Sequence, residues 1–187
     1  MYAVIRNWML GLIIAGVAPY ASAQTAANFT SLHRVDCIAV TAVKNIYTPG
    51  DLYPAVVRCI EAKRYPESAA LFMIAGTYGA FDKARVADST AHEATQLLIL
   101  QTIRPLDAEK KKQWQNAMAE ATAAGSKKQA EICKAIAAIG MPKYYPTYMI
   151  QHGIQASLKN ATPPLVSPFD SKAAWNSALT SYLRCSL

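Results

Sequence analysis

The chain lacks most of the patterns that announce chemistry. It has three histidines (His33, His92 and His152), each on a different segment. A zinc-protease helix needs two histidines four residues apart, so that both imidazoles reach one ion. "AHEA" at 91–94 supplies the first histidine and a glutamate, but the place of the second is taken by Gln96. There is no G-x-S-x-G elbow to present a nucleophilic serine. None of the four cysteines stands in a CxxC pair, which leaves a zinc knuckle or a thioredoxin-type site without ligands. The 12 acidic residues are scattered over helix caps and faces and offer no carboxylate pair of the kind that cleaves glycosides. No catalytic residue, metal or cofactor is therefore expected.

Charge is thin as well. The basic runs are Lys110-Lys111-Lys112 and Lys127-Lys128, and no aromatics are interleaved with them. Nucleic-acid binding is not expected from such a pattern; an acidic protein surface, an anionic polymer or plain solvent suits it better. Arg6 is the one charge before Arg34, and it sits ahead of the apolar run "WMLGLIIAGVA". That run is short for a bilayer span, and "ASAQ" follows with Ala21 and Ala23 at the small-residue positions of a cleavage site. Residues 1–23 read as a signal peptide and 24–187 as a single helical domain, periplasmic or secreted, with no stable membrane insertion after cleavage. Removing Arg6 with the signal takes the net charge from +7 to +6.

What is present is helical periodicity. Between residues 31 and 46, Leu32, Val35, Ile38, Ala39, Ala42, Val43 and Ile46 recur at three- and four-residue steps, predicting a helix. "TPGD" breaks it and offers Asp51 as the cap of a second helix, "LYPAVVRCIEAK". "SAALFMIAG" follows, with Gly76 as its expected stop, and Asp82 as the expected cap of a long helix reaching Ile103, where Pro105 intervenes. Asp107 caps the next, Ser126 and Gln129 form a capping box, and Gly140 and Pro142 end that helix. Ser167, Pro168 and Asp170 announce the last helix, with Trp175, Leu179, Tyr182 and Leu183 on one face. No segment alternates with a period of two. The fold class is all-α: antiparallel helical hairpins packed as a short right-handed repeat-like bundle.

One segment, residues 52–75, resembles the tetratricopeptide and Sel1-like helical repeats. Leu52, Ala55, Val56 and Cys59 fall at the packing positions of a first helix, Tyr65 at the turn aromatic, and Ser68, Phe72 and Ala75 at the positions of the second. Leu52 stands where the pattern wants a large aromatic and Val56 where it wants glycine or alanine, and no second copy follows 34 residues on. The resemblance implies a helix hairpin and protein binding through a concave face.

Four cysteines in an exported chain imply two disulfides, with three connectivities open. Counting from a turn centred at Thr48 separates them. Cys37 lies eleven residues before it and Cys59 eleven after, so an antiparallel hairpin sets them side by side. Cys37–Cys59 is the expected pair, and Cys133–Cys185 follows by elimination.

"PKYYPTYMIQHG" at 142–153 is the densest cluster of functional side chains. If a helix starts at Pro146, then Tyr145, Tyr148, Met149 and His152 share a stripe, with Lys143 and Tyr144 on its rim. The plain reading is a corner packed at the edge of the core. The functional reading is a protein-binding patch made of Lys143, Tyr144, Tyr145, Tyr148 and His152, because tyrosine and methionine favour interface cores. The function expected is that of an exported, non-catalytic protein that binds another protein. In compartment, size and chemistry it is similar to exported bacterial immunity proteins that neutralise periplasm-delivered toxins. The alternatives are a periplasmic helical-repeat adaptor or assembly factor and, after that, an envelope-polymer hydrolase. The sequence does not set the oligomeric state.

Overall fold

The computed structural model describes residues 29, 31–158 and 163–186; the signal-peptide reading of residues 1–23 lies outside them. Among the described residues there are seven α-helices and no strand: α1 Pro49–Glu61, α2 Tyr65–Arg85, α3 Glu93–Ile103, α4 Ala108–Thr122, α5 Lys127–Ile139, α6 Thr147–Ile150 and α7 Ser171–Ser177, which runs on as a π-turn Ala178–Tyr182. None of them is long and apolar enough to cross a membrane.

The first helix is fixed at its start by a reciprocal cap. The Thr48 hydroxyl accepts the Asp51 N–H, the Asp51 carboxylate accepts the Thr48 N–H, and Pro49 occupies the first turn. Leu52, Tyr53, Val56 and Ile60 of α1 are fully buried, and the three aliphatic side chains each contribute on the order of 1.5–3 kcal/mol by leaving water. A short turn with Lys63 at φ +57° leads back into α2, the central helix, which packs on α1, α4, α7 and the π-turn. Because α2 is surrounded, its buried residues occupy nearly every face, from Leu71 and Ile74 to Tyr78 and Phe81. Two glycines let neighbours reach its backbone. The Tyr182 hydroxyl lies where a Cβ on Gly76 would stand, and Thr95 Cγ2 of α3 would lie 2.7 Å from a Cβ on Gly79. Helices α4 and α5 form a second antiparallel hairpin, capped by Asp107 and Ser126, and Gly140 closes α5 at φ +82°. Asp170 caps α7 through the Ala173 N–H.

Both expected disulfides are present, Cys37–Cys59 and Cys133–Cys185. The helix expected over residues 31–46 is not; that segment holds only a 3-10 turn at Val40–Ala42. The reason is competition for its backbone groups. Asp51 takes the N–H groups of Leu32 and His33, Arg58 donates to Val35 O and Arg64 to Cys37 O, so α1 and its C-terminal turn satisfy the segment that a helix would have satisfied internally. The counting that paired Cys37 with Cys59 thus reached the right bond through a helix that does not form. Asp51 is the third residue of α1, not its cap. Gly76 does not stop α2, which runs on to Arg85; its bare backbone instead admits the Tyr182 hydroxyl. Asp82 therefore caps nothing; it lies inside α2, and the following helix begins only at Glu93, after Asp88 caps a 3-10 turn.

Candidate functional site

The 142–153 stretch is held at both ends. Lys143 N–H donates to Asn45 O at 2.8 Å and the Asn45 amide donates to Ile139 O at 3.3 Å, which stitches the end of α5 to the N-terminal segment. Beyond this seam the chain turns inwards. The Tyr144 and Tyr148 hydroxyls both donate to Asp82 Oδ2 at 2.8 Å. Asp82 Oδ1 accepts Arg85 Nε at 2.8 Å and pairs with its second nitrogen at 2.7 Å. The Arg85 guanidinium also lies 5.1 Å from the Phe81 ring centre and 5.2 Å from that of Tyr144. One buried carboxylate thus gathers a cation and two phenols from α2 and the 142–150 segment.

Burial pushes the Asp82 carboxyl up, to about 6, against the Arg85 charge and the two tyrosine hydroxyls, which pull it down. Burial, and then the charge of Asp82, holds the Tyr144 and Tyr148 phenols well above the ordinary tyrosine value. A raised carboxyl beside phenols can suggest acid–base chemistry. Here Asp82 has no exposed surface and both its oxygens are occupied from within, so no substrate atom reaches it. The arrangement is a polar anchor at the centre of the fold.

The predicted patch therefore divides. Tyr144 and Tyr148 are buried and face Asp82, which corrects the placement of Tyr144 on an exposed rim and removes both rings from any accessible face. Tyr145, expected on the shared stripe, is 52% exposed, and Lys143 is exposed. The stripe is not one face because α6 is only four residues long, with Pro146 as its cap rather than in its first turn. His152 is half-buried and stacked on Phe29 at 4.5 Å, and burial lowers its pKa. Lys143 and Tyr145 are the members left on the surface. Lys143, bonded to Asn45 through its N–H, adjoins a groove of about 490 Å³ between residues 41–46 and α5, lined by Lys44, Asn45, Ile46, Ala138 and Ile139. Ile46 is itself exposed.

Sequence reasoning missed Asp82 and Arg85 as the anchor's centre. The available signal was an Asp and an Arg three residues apart on one face of a helical stretch, with the charged Lys83 between them in sequence. Elsewhere, Asp51 accepts from the Ser31 hydroxyl, from two backbone N–H groups at 31–33, from His33 Nδ1 at 3.2 Å and from Thr48 N–H. Burial raises its carboxyl, but these donors outweigh it and the pKa lies below the ordinary value. His92 Nε2 lies 3.0 Å from Val86 O, so each histidine has a separate setting. Among the described residues no group of three His, Cys, Asp or Glu is placed to hold a metal ion. Comparison with family models, with curated proteins and with solved structures finds no match.

Proposed function

We propose that the protein is exported to a periplasmic or extracellular compartment and acts there by binding another protein without catalysing a reaction, as an immunity protein does for a toxin delivered to the periplasm. The observation that carries the reading is the contrast between centre and surface. The cluster of titratable side chains around Asp82 is buried, with both carboxylate oxygens engaged by Arg85, Tyr144 and Tyr148. The surface instead offers exposed Ile46 with Lys44 on a groove that Lys143 adjoins, and exposed Tyr145 two residues further along the chain. An apolar and aromatic patch with a basic rim is the composition that protein interfaces favour. The positive net charge speeds encounter with an acidic partner. Two disulfides support an oxidising compartment.

The test is production of the protein together with the product of the adjacent gene, read by cell survival and by calorimetry. Rescue of growth and a dissociation constant below about 1 μM support the reading. A harmless neighbour, together with no partner recovered from periplasmic extract, overturns it.

A further inference from the structure

On the other flank of α5 from that groove, two cavities meet. One, of about 360 Å³, is lined by Phe72, Met73, Met118 and Leu183. The other, of about 350 Å³, runs beside the start of α5, from Ser126 past Cys133 and Lys134 to Cys185. Gln129 and Arg184 line both and stand at their junction.

Three independent features at this junction favour negative charge. The first is the N-terminal end of α5, a helix of 13 residues, where unpaired N–H groups and the helix dipole attract anions. The second is Gln129, only 7% exposed. Its Oε1 accepts the Gly125 N–H at 3.0 Å, while its Nε2 donors have no partner among the described residues. The third is Arg184, an exposed residue whose guanidinium has no ion pair or hydrogen bond among the described residues. Its backbone is held at φ +59° beside the Cys133–Cys185 bond. Neighbouring cations are matched: Lys127 pairs with Glu131 and Lys128 with Glu120. Lys134, on the second cavity, has no such partner among the described residues.

We propose that this junction recognises a segment of the partner protein that carries an acidic residue beside a bulky apolar one. The carboxylate is received by Arg184 and the Gln129 amide at the start of α5. One apolar side chain enters the cavity of Phe72, Met118 and Leu183, where the methionines adapt to its shape. A peptide fits better than a fatty acid because the second cavity, with Ser126, Lys134 and Ser186 on its wall, suits a polar chain, whereas an alkyl tail fills the first alone. The inference rests on the protein-binding reading for the source of the segment.

The probe is N-acetylated, C-amidated Leu-Glu-Phe, with Leu-Gln-Phe as its neutral twin, titrated into the full, oxidised chain and followed by NMR at the Gln129 side-chain amide and the Arg184 Nε–H. Arg184→Asn suits the left-handed backbone while removing the charge. Gln129→Glu keeps the acceptor for Gly125 and replaces the donor with a repelling carboxylate. The expected result is saturable shifts with the glutamate peptide, affinity at least about tenfold weaker for its twin and for both variants, and an unchanged melting temperature for Arg184→Asn. Equal response to both peptides, no effect of either variant, no saturable shift, or displacement of the peptide by decanoate at lower concentration overturns the proposal. The protein-binding reading is judged separately, on the whole partner. A partner that both variants retain as tightly as the wild type overturns this site and leaves that reading standing, whereas a wild type without any partner overturns the reading itself.

Discussion

The replacement Asp82→Asn tests whether the buried carboxylate behaves as its surroundings dictate. Its folded pKa of about 6 lies above the ordinary 3.8, so the folded state holds the proton more tightly than the unfolded chain. The stability this contributes is complete below about pH 4, declines as pH rises through 6 and is lost above it. A gap of about two units corresponds to about 3 kcal/mol. Asparagine leaves the Arg85 guanidinium, 12% exposed, without a counter-charge. Below about pH 4 the protonated Asp82 of the wild type leaves Arg85 equally without a counter-charge. The variant, whose amide resembles the protonated carboxyl, differs there mainly in its hydrogen bonds. It carries no titrating group at position 82. The advantage of the wild type over the variant should therefore shrink by about 3 kcal/mol between about pH 4 and pH 7. His152, whose pKa is lowered by burial, acts in the opposite direction, since protonation from its ordinary 6.5 downwards favours the unfolded chain. Asp51, with a lowered pKa, loses its contribution on acidification. Both are present in wild type and variant, so the difference between the two isolates Asp82. Urea unfolding of the oxidised proteins across this range measures it. An advantage that stays constant or widens towards neutral pH refutes the reasoning, because the ion pair with Arg85 would then outweigh burial.

Gly79→Ala should lower stability by about 1–2 kcal/mol in spite of the better helix propensity, because its Cβ meets Thr95 Cγ2, and Thr95→Ser in the same chain should restore part of the loss in thermal unfolding. Asp51→Ala should cost about 2–4 kcal/mol and raise amide hydrogen exchange at residues 32 and 33, since those N–H groups lose their acceptor. Replacing Cys133 and Cys185 by serine should cost up to about 4 kcal/mol, the chain-entropy value for their spacing, measured by denaturant titration. Lys127→Glu, at a side chain 92% exposed, should leave stability within about 0.5 kcal/mol. Tyr145→Ala and Lys143→Glu should leave the melting temperature unchanged while weakening the partner, whereas Tyr148→Phe should destabilise by about 1–3 kcal/mol through the unmatched Asp82 oxygen.

Local signals and long-range competition separate what was legible in the sequence from what was not. Asp107, Ser126 and Asp170 each cap a helix through a backbone N–H three residues on, and chemistry confined to one turn can be read without knowing the fold. Gln129 already strains this rule, since its side chain reaches the Gly125 N–H rather than that of the Ser126 cap. Residues 31–46 have helical spacing, yet acceptors and donors on Asp51, Arg58 and Arg64, up to 27 positions away, take their backbone groups. Gly76 looks like a stop only until Tyr182, more than a hundred residues later, is seen to require it inside a helix. The placement of Tyr144 on an exposed rim failed for the same reason. Tyr144 and Tyr145 are adjacent and chemically identical, and their sequence neighbourhood does not say which one faces inwards. What decides is Asp82, which captures the Tyr144 hydroxyl from 62 residues away and leaves Tyr145 to the solvent. A buried carboxylate must find donors, and the partner it selects is fixed by where α2 places it.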